Sequence, residues 1–164
     1  IYDVDALTSG RYDATHGYDI HQILDYGGCD KIIDCGSRHV HVEQKVRPVT
    51  SGEDLAVRTD NGSGEHTAKL PKWLNAHEHR GYYPSMIGCG RYDHTIDVLA
   101  EFHLVDVATL LSALDRGRIH APEYQNTQDG DDTAARYISA AELDRVDAVV
   151  AQWEKVCARG GVAA

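Results

Sequence analysis

From Lys31 to Val46 the apolar and polar positions follow the two-residue period of paired strands. Lys31 to Asp34 is a short run around Ile32 and Ile33, Cys35-Gly36-Ser37 carries turn chemistry, and Arg38 to Val46 alternates. Alternation places Val40, Val42 and Val46 on one face and His39, His41, Glu43 and Lys45 on the other. The pattern predicts an antiparallel hairpin in which Asp30, at the start of the first strand, lies across from Glu43.

The rest of the pattern predicts an α/β domain. Ile20, Ile23 and Leu24 form a helical stripe over Tyr18 to Tyr26, and Leu55 to Thr59 reads as a strand that turns at Asp60 to Gly64 and returns over Glu65 to Leu70, ahead of Pro71. Ser85 to Cys89 and Val98 to Val105 read as further strands. Asp106 then caps a helix carrying Val107, Leu110, Leu111 and Leu114, which Gly117 ends. His120 to Thr133 has hardly any apolar content and reads as a loop. Ser139 and Glu142 make a capping box for a C-terminal helix whose stripe is Leu143, Val146, Val150, Trp153 and Cys157. That stripe packs on the sheet or supplies a homodimer contact.

At 164 residues the chain predicts a single domain, residues 1–164, with a core over about 10–117, a loop over about 118–134 and the last helix over about 139–159. No run approaches the roughly twenty apolar residues of a membrane span, and no basic-then-apolar leader opens the sequence, so neither a span nor a secretory signal is expected. Cys29, Cys35, Cys89 and Cys157 form no CxxC pair or zinc-ribbon spacing. They read as buried, reduced thiols of a cytoplasmic protein.

A net charge of −10 opposes a polyanionic partner at first sight. Its distribution changes that: residues 31–91 hold nine Lys or Arg against seven Asp or Glu, and the remainder seven against nineteen. Candidate phosphate contacts therefore lie in the middle of the chain: Arg38, His41, Arg47, Arg58, Lys69 and Lys72, with Arg80 and Arg91 beyond them. Eighteen Asp beside eight Glu, with eleven Arg to five Lys, resembles the balance of proteins from salt-loving archaea or GC-rich genomes. In concentrated salt, repulsion of DNA is screened to within about 3 Å, which leaves binding to close contacts and to metal.

The chemistry concentrates on the hairpin. Two carboxylates facing each other can share a hard cation, and a lysine two residues beyond the second sits at the edge of that site. Asp30, twelve intervening residues, then Glu43-Gln44-Lys45 behind valines resembles the core of the PD-(D/E)xK nuclease superfamily, which includes many restriction enzymes and archaeal Holliday-junction resolvases. The resemblance implies a restriction-endonuclease-like mixed β-sheet flanked by helices, and hydrolysis of DNA phosphodiester bonds with Mg²⁺ or Mn²⁺. It assigns Asp30 and Glu43 as metal ligands and Lys45 as the residue that positions the attacking water.

Two features depart from the family pattern. Cys29 stands where the family name has proline. No glutamate precedes Glu43, so Asp19 is the first substitute for the family's helix acid, with Asp13 and Asp25 behind it and Gln22 nearby. Asp19 serves equally well as a helix N-cap. The unsettled helix acid keeps open a second reading, a nuclease fold without cleavage that binds DNA or serves assembly. A bland alternative for Glu43 is a surface ion pair with Lys45 or Arg47, worth about 0–1 kcal/mol.

Ten histidines include the pairs His39-His41 and His77-His79. Two imidazoles and Glu43 on one strand face would suit Zn²⁺ or Fe²⁺ in a cupin-like protein. Against that, the His41 to Glu43 spacing is too short for the usual cupin motif, and no second motif follows near Gly81 to Gly90. The expectation is that His39 and His41 line a phosphate groove and that His77 and His79 lie on an exposed loop.

Overall fold

A computed structural model of the chain describes residues 2–3, 30–34, 39–52, 54–60, 68–96, 98–126 and 133–158. Asp13, Asp19, Gln22, Asp25, Cys29, Cys35 and Arg38 lie outside the described residues, as do the helix expected over Tyr18 to Tyr26 and the turn residues Asn61 to Gly64.

The described chain is mixed α/β and mostly strand. Its elements run β1 (Tyr2–Asp3), β2 (Lys31–Asp34), β3 (His39–Pro48), β4 (Leu55–Asp60), α1 (Lys69–Glu78), β5 (Met86–Asp93), β6 (Val98–Asp106), α2 (Val107–Asp115), β7 (Glu123–Asn126), β8 (Thr133–Ile138), α3 (Ala140–Arg145) and β9 (Val149–Ala158). A six-stranded sheet has the order β1-β2-β3-β5-β6-β9, and a three-stranded sheet the order β4-β8-β7. Strands β3 and β5 pair in parallel, joined by a crossover containing β4 and α1. The other pairings are antiparallel.

One apolar core joins both sheets to the helices. Leu70 and Trp73 of α1 and Leu110 and Leu111 of α2 meet Ile87 and Val105 of the large sheet and Val57 and Ile138 of the small one. Burial of this apolar surface is what holds the two sheets on the helices. On the opposite face of the large sheet, Gly88 and Gly90 leave room for β6 side chains. A Cβ at Gly88 would lie 2.9 Å from the Phe102 ring, and one at Gly90 2.9 Å from Leu99.

The hairpin forms as the alternation predicts, with Lys31 opposite Val42 and Ile33 opposite Val40. Strands β5 and β6 and helix α2 also lie where the pattern puts them. Asp106 accepts the Thr109 N–H at 2.8 Å, and Gly117, at φ 61°, closes the helix.

Three expectations are corrected. The strand expected to return as far as Leu70 gives way to a helix at its described end: Lys69 and Leu70 begin α1, and β4 pairs with β8, while residues 65–67 lie outside the described residues. Leu70, Trp73 and Ala76 make the buried helical stripe, and Pro71 sits in the first turn, where its missing N–H has no intrahelical acceptor to lose. The loop expected over about 118–134 contains β7, whose Glu123, Tyr124 and Gln125 are all exposed. An edge strand of a small sheet carries little apolar alternation for the sequence to display.

The third correction concerns the C-terminus. Ser139 caps as expected, accepting the Glu142 N–H at 3.2 Å, but the helix ends at Arg145 and β9 follows, pairing with β6. Asp147 adopts φ 55°, and the N–H groups of Asp147 and Ala148 close onto the carbonyls of Asp144 and Leu143. This is the left-handed helix stop usually built on glycine. Beyond it, Val149, Val150 and Val156 favour the strand. The side chains of Trp153 and Cys157 lie outside the described residues.

Candidate active site

Strand β3 is the axis of the site. His41, Glu43, Lys45 and Arg47 share the face that looks toward the helices and the small sheet. Pairing extends this face into rows: Glu43 beside Ile87 and Val105, then Lys45 beside Cys89 and His103, then Arg47 beside Arg91 and Glu101. The face thus passes from apolar core at Glu43 to a charged layer two and four residues on.

Glu43 is only 1% exposed, and a buried carboxylate requires cationic partners. Two lysines supply them on the same oxygen. Lys45 Nζ lies 2.8 Å from Glu43 Oε1, and the Lys69 ammonium, brought over by the first turn of α1, also donates to Oε1. Asp30 is exposed at the start of the hairpin. Its Oδ2 accepts the backbone N–H of Gln44 at 2.5 Å, which pins the carboxylate beside the residue that follows Glu43. The structure therefore brings Asp30, Glu43 and Lys45 to one end of one hairpin.

The other expected site residues divide. Lys69 meets Glu43 and so is part of the acid's own environment. His41 is 5% exposed, with Nδ1 2.9 Å from the Tyr82 hydroxyl, and it lines a pocket together with His77, Arg80 and Tyr83. Lys72 is half-buried on α1, whereas Arg58 is exposed on β4. Arg47 lies with its guanidinium carbon 6.0 Å from the Tyr137 ring centroid. Asp19 and Arg38, as noted, fall outside the described residues.

His77 and His79 belong to the end of α1 and not to a loop. His77 is half-buried between the Tyr83 hydroxyl and Ser112 Oγ, both at 3.1 Å, while exposed His79 lies 2.9 Å from the Asn75 carbonyl. Burial, and then the Asp106 carboxylate, raise the Tyr83 phenol above its ordinary pKa. Among the described residues, no three His, Cys, Asp or Glu side chains converge on a common point. The side chain of His39 is not among those described.

Two spaces flank the charged layer. A cavity of about 240 Å³ has Lys45, Arg91, Cys89 and His103 on its floor and Asp54 and Leu143 in its wall. Arg91 is locked there by the Val49 carbonyl, which accepts from Nη2 at 2.5 Å. Burial pushes the Cys89 thiol up to about 12, despite Lys45 and Arg47 nearby, so the thiol stays protonated. On the other side of Lys45 and Arg47 runs a groove walled by Arg58, Tyr124 and Tyr137 of the small sheet. Sequence reasoning found Arg58 but not the tyrosines, because β7 carries no strand signature. Comparison with protein-family models, with curated proteins and with solved structures returned no match to this chain.

Proposed function

We propose that this chain is a metal-dependent nuclease of PD-(D/E)xK type with a restriction-endonuclease-like core, acting on DNA with Mg²⁺ or Mn²⁺. One observation carries the reading: the hairpin register sets Asp30 across from Glu43, and Lys45 Nζ lies 2.8 Å from Glu43 Oε1. The residues fit a hard cation, since two carboxylates completed by substrate phosphate and water are an ordinary Mg²⁺ donor set. Such an ion, when bound, polarises a phosphoryl oxygen and makes a coordinated water more acidic.

Asp30 is accessible and oriented by Gln44, and both ammoniums on Glu43 take Oε1, which leaves Oε2 for a cation. Lys45 is 30% exposed, within reach of solvent while tied to the acid, and its charge suits an anion accumulating on a phosphate. Incubation with plasmid and with labelled oligonucleotides in Mg²⁺ tests the proposal. Asp30→Asn, Glu43→Gln and Lys45→Ala should each lower cleavage about 100-fold or more while DNA binding persists. Wild-type protein that binds without cutting, or a Glu43→Gln variant that still cuts, would overturn it.

The pairing of Glu43 with two lysines favours one other reading. A carboxylate compensated in this way is a stable structural element by itself, as in a nuclease fold that binds DNA or assembles without cutting. In that protein the Glu43→Gln substitution would leave metal affinity unchanged, an outcome that calorimetry distinguishes from the loss expected of a metal ligand.

A further inference from the structure

The groove beside Lys45 has a composition that the acidic chain shows nowhere else among its described pockets. Among the described residues its lining includes Lys45, Arg47, Arg58, Tyr124 and Tyr137 and no Asp or Glu, in a protein with a net charge of −10. The small sheet explains the shape. Its pairing aligns Arg58, Ala135 and Tyr124 across one face, with Ala56 beside Tyr137 in the next row. Alanines make a low floor, and the arginine and tyrosines stand around it. The opposite face of the same sheet, with Leu55, Val57 and Ile138, is buried in the core.

Tyr124 is 60% exposed on the edge strand, and its ring centroid is 5.5 Å from that of Tyr137 in an edge-on arrangement. This geometry leaves a face of the outer ring open to solvent. Arg47 lies over the inner ring. Cations along a channel plus an open aromatic face are the combination that holds a strand with unstacked bases: phosphates meet the cations and a base stacks on the ring. A duplex keeps its bases stacked inside and offers nothing to Tyr124.

We propose that this groove binds unpaired DNA, with Tyr124 stacking on a base and Arg47 and Arg58 contacting phosphates on either side. The inference names the substrate class of the site proposed above and rests on that reading for its link to cleavage. Lys45 lines both the groove and the acid pair, so a strand in the groove delivers a phosphate toward Glu43.

Binding is measured with the full chain in EDTA, by anisotropy of a labelled oligothymidylate of about 16 nucleotides and of a duplex of equal length. Tyr124→Ala should weaken oligothymidylate binding about 5- to 100-fold and duplex binding less than about two-fold, while Tyr124→Trp keeps both. Arg58→Gln should lower the salt slope of single-strand binding by about 0.7. Unchanged affinity in Tyr124→Ala, an equal loss on the duplex, or tighter binding of oligouridylate overturns the proposal. Thermal melts of each variant separate these outcomes from misfolding. Strand binding without Mg²⁺-dependent cutting sinks the nuclease reading and leaves the groove; cutting with no effect of Tyr124→Ala does the reverse.

Discussion

Lys69 opens helix α1, and its ammonium lies on Glu43 Oε1 in the middle of β3, so the first turn of the helix is tied to the centre of the large sheet. Ala68, the N-cap, has no side-chain cap hydrogen bond, and the first turn carries no acid. Glu43 supplies from another element the negative charge that this helix start lacks. The same carboxylate therefore has a structural role beside the chemical one proposed for it.

Lys69→Met should lower stability by about 1–3 kcal/mol, because Glu43 stays buried with one cation in place of two. Urea unfolding of Lys69→Met, Glu43→Gln and the double variant checks it. Simple additivity of the two single effects would show that the contact contributes nothing.

Left-handed Asp147 sets where α3 stops. Asp147→Val should cost about 1–2 kcal/mol, since a β-branched residue meets the full steric penalty there, whereas Asp147→Gly should be equal to the wild type or better. Thermal denaturation reads the difference. A valine variant as stable as the parent would mean that β9 alone dictates the stop.

Acid should loosen the junction between α2 and α3. The Glu142 carboxyl is held down to about 2, first by the Arg145 side chain and then by the His120 N–H. Its folded value lies below its ordinary 4.5, so its contribution is present above that pH and is lost as pH falls toward 2. Glu142→Gln should flatten the stability profile in that window, measured by urea titration at stepped pH. An unaltered slope would exclude the linkage.

Cys89 should resist alkylation. With its thiol raised to about 12 by burial, the thiolate is scarce at neutral pH. Iodoacetamide labelling followed by peptide mapping should show the Cys89 peptide unmodified in native protein and fully modified in denaturant. Rapid native labelling would place the cavity open to solvent.

How much of this was legible in the residues depends on how local each feature is. The hairpin was, because Val40 to Val46 alternates and a strand's period fixes which side chains share a face; Glu43 and Lys45 followed from that, and Asp30 opposite Glu43 from the antiparallel register. Helix α2 was legible for the same reason, since Asp106 and Gly117 mark its ends in their own sequence. The second partner of Glu43 was not: Lys69 arrives through a crossover that no local pattern encodes. Nor was Tyr124, on a polar edge strand that pairs on one side only. The C-terminal stripe misled because Leu143, Val146, Val150 and Trp153 fit a helical spacing, while the stop was written in an aspartate with φ 55°.

Strand β4 finds its neighbour β8 only after α1, β5, β6, α2 and β7 have been made, and β6 waits similarly for β9. During synthesis the acid-bearing hairpin thus emerges long before the tyrosine wall beside it exists. A ribosome-bound fragment carries the proposed acid pair before the strands of the proposed stacking surface have been made, and the two arise in a fixed order along the chain.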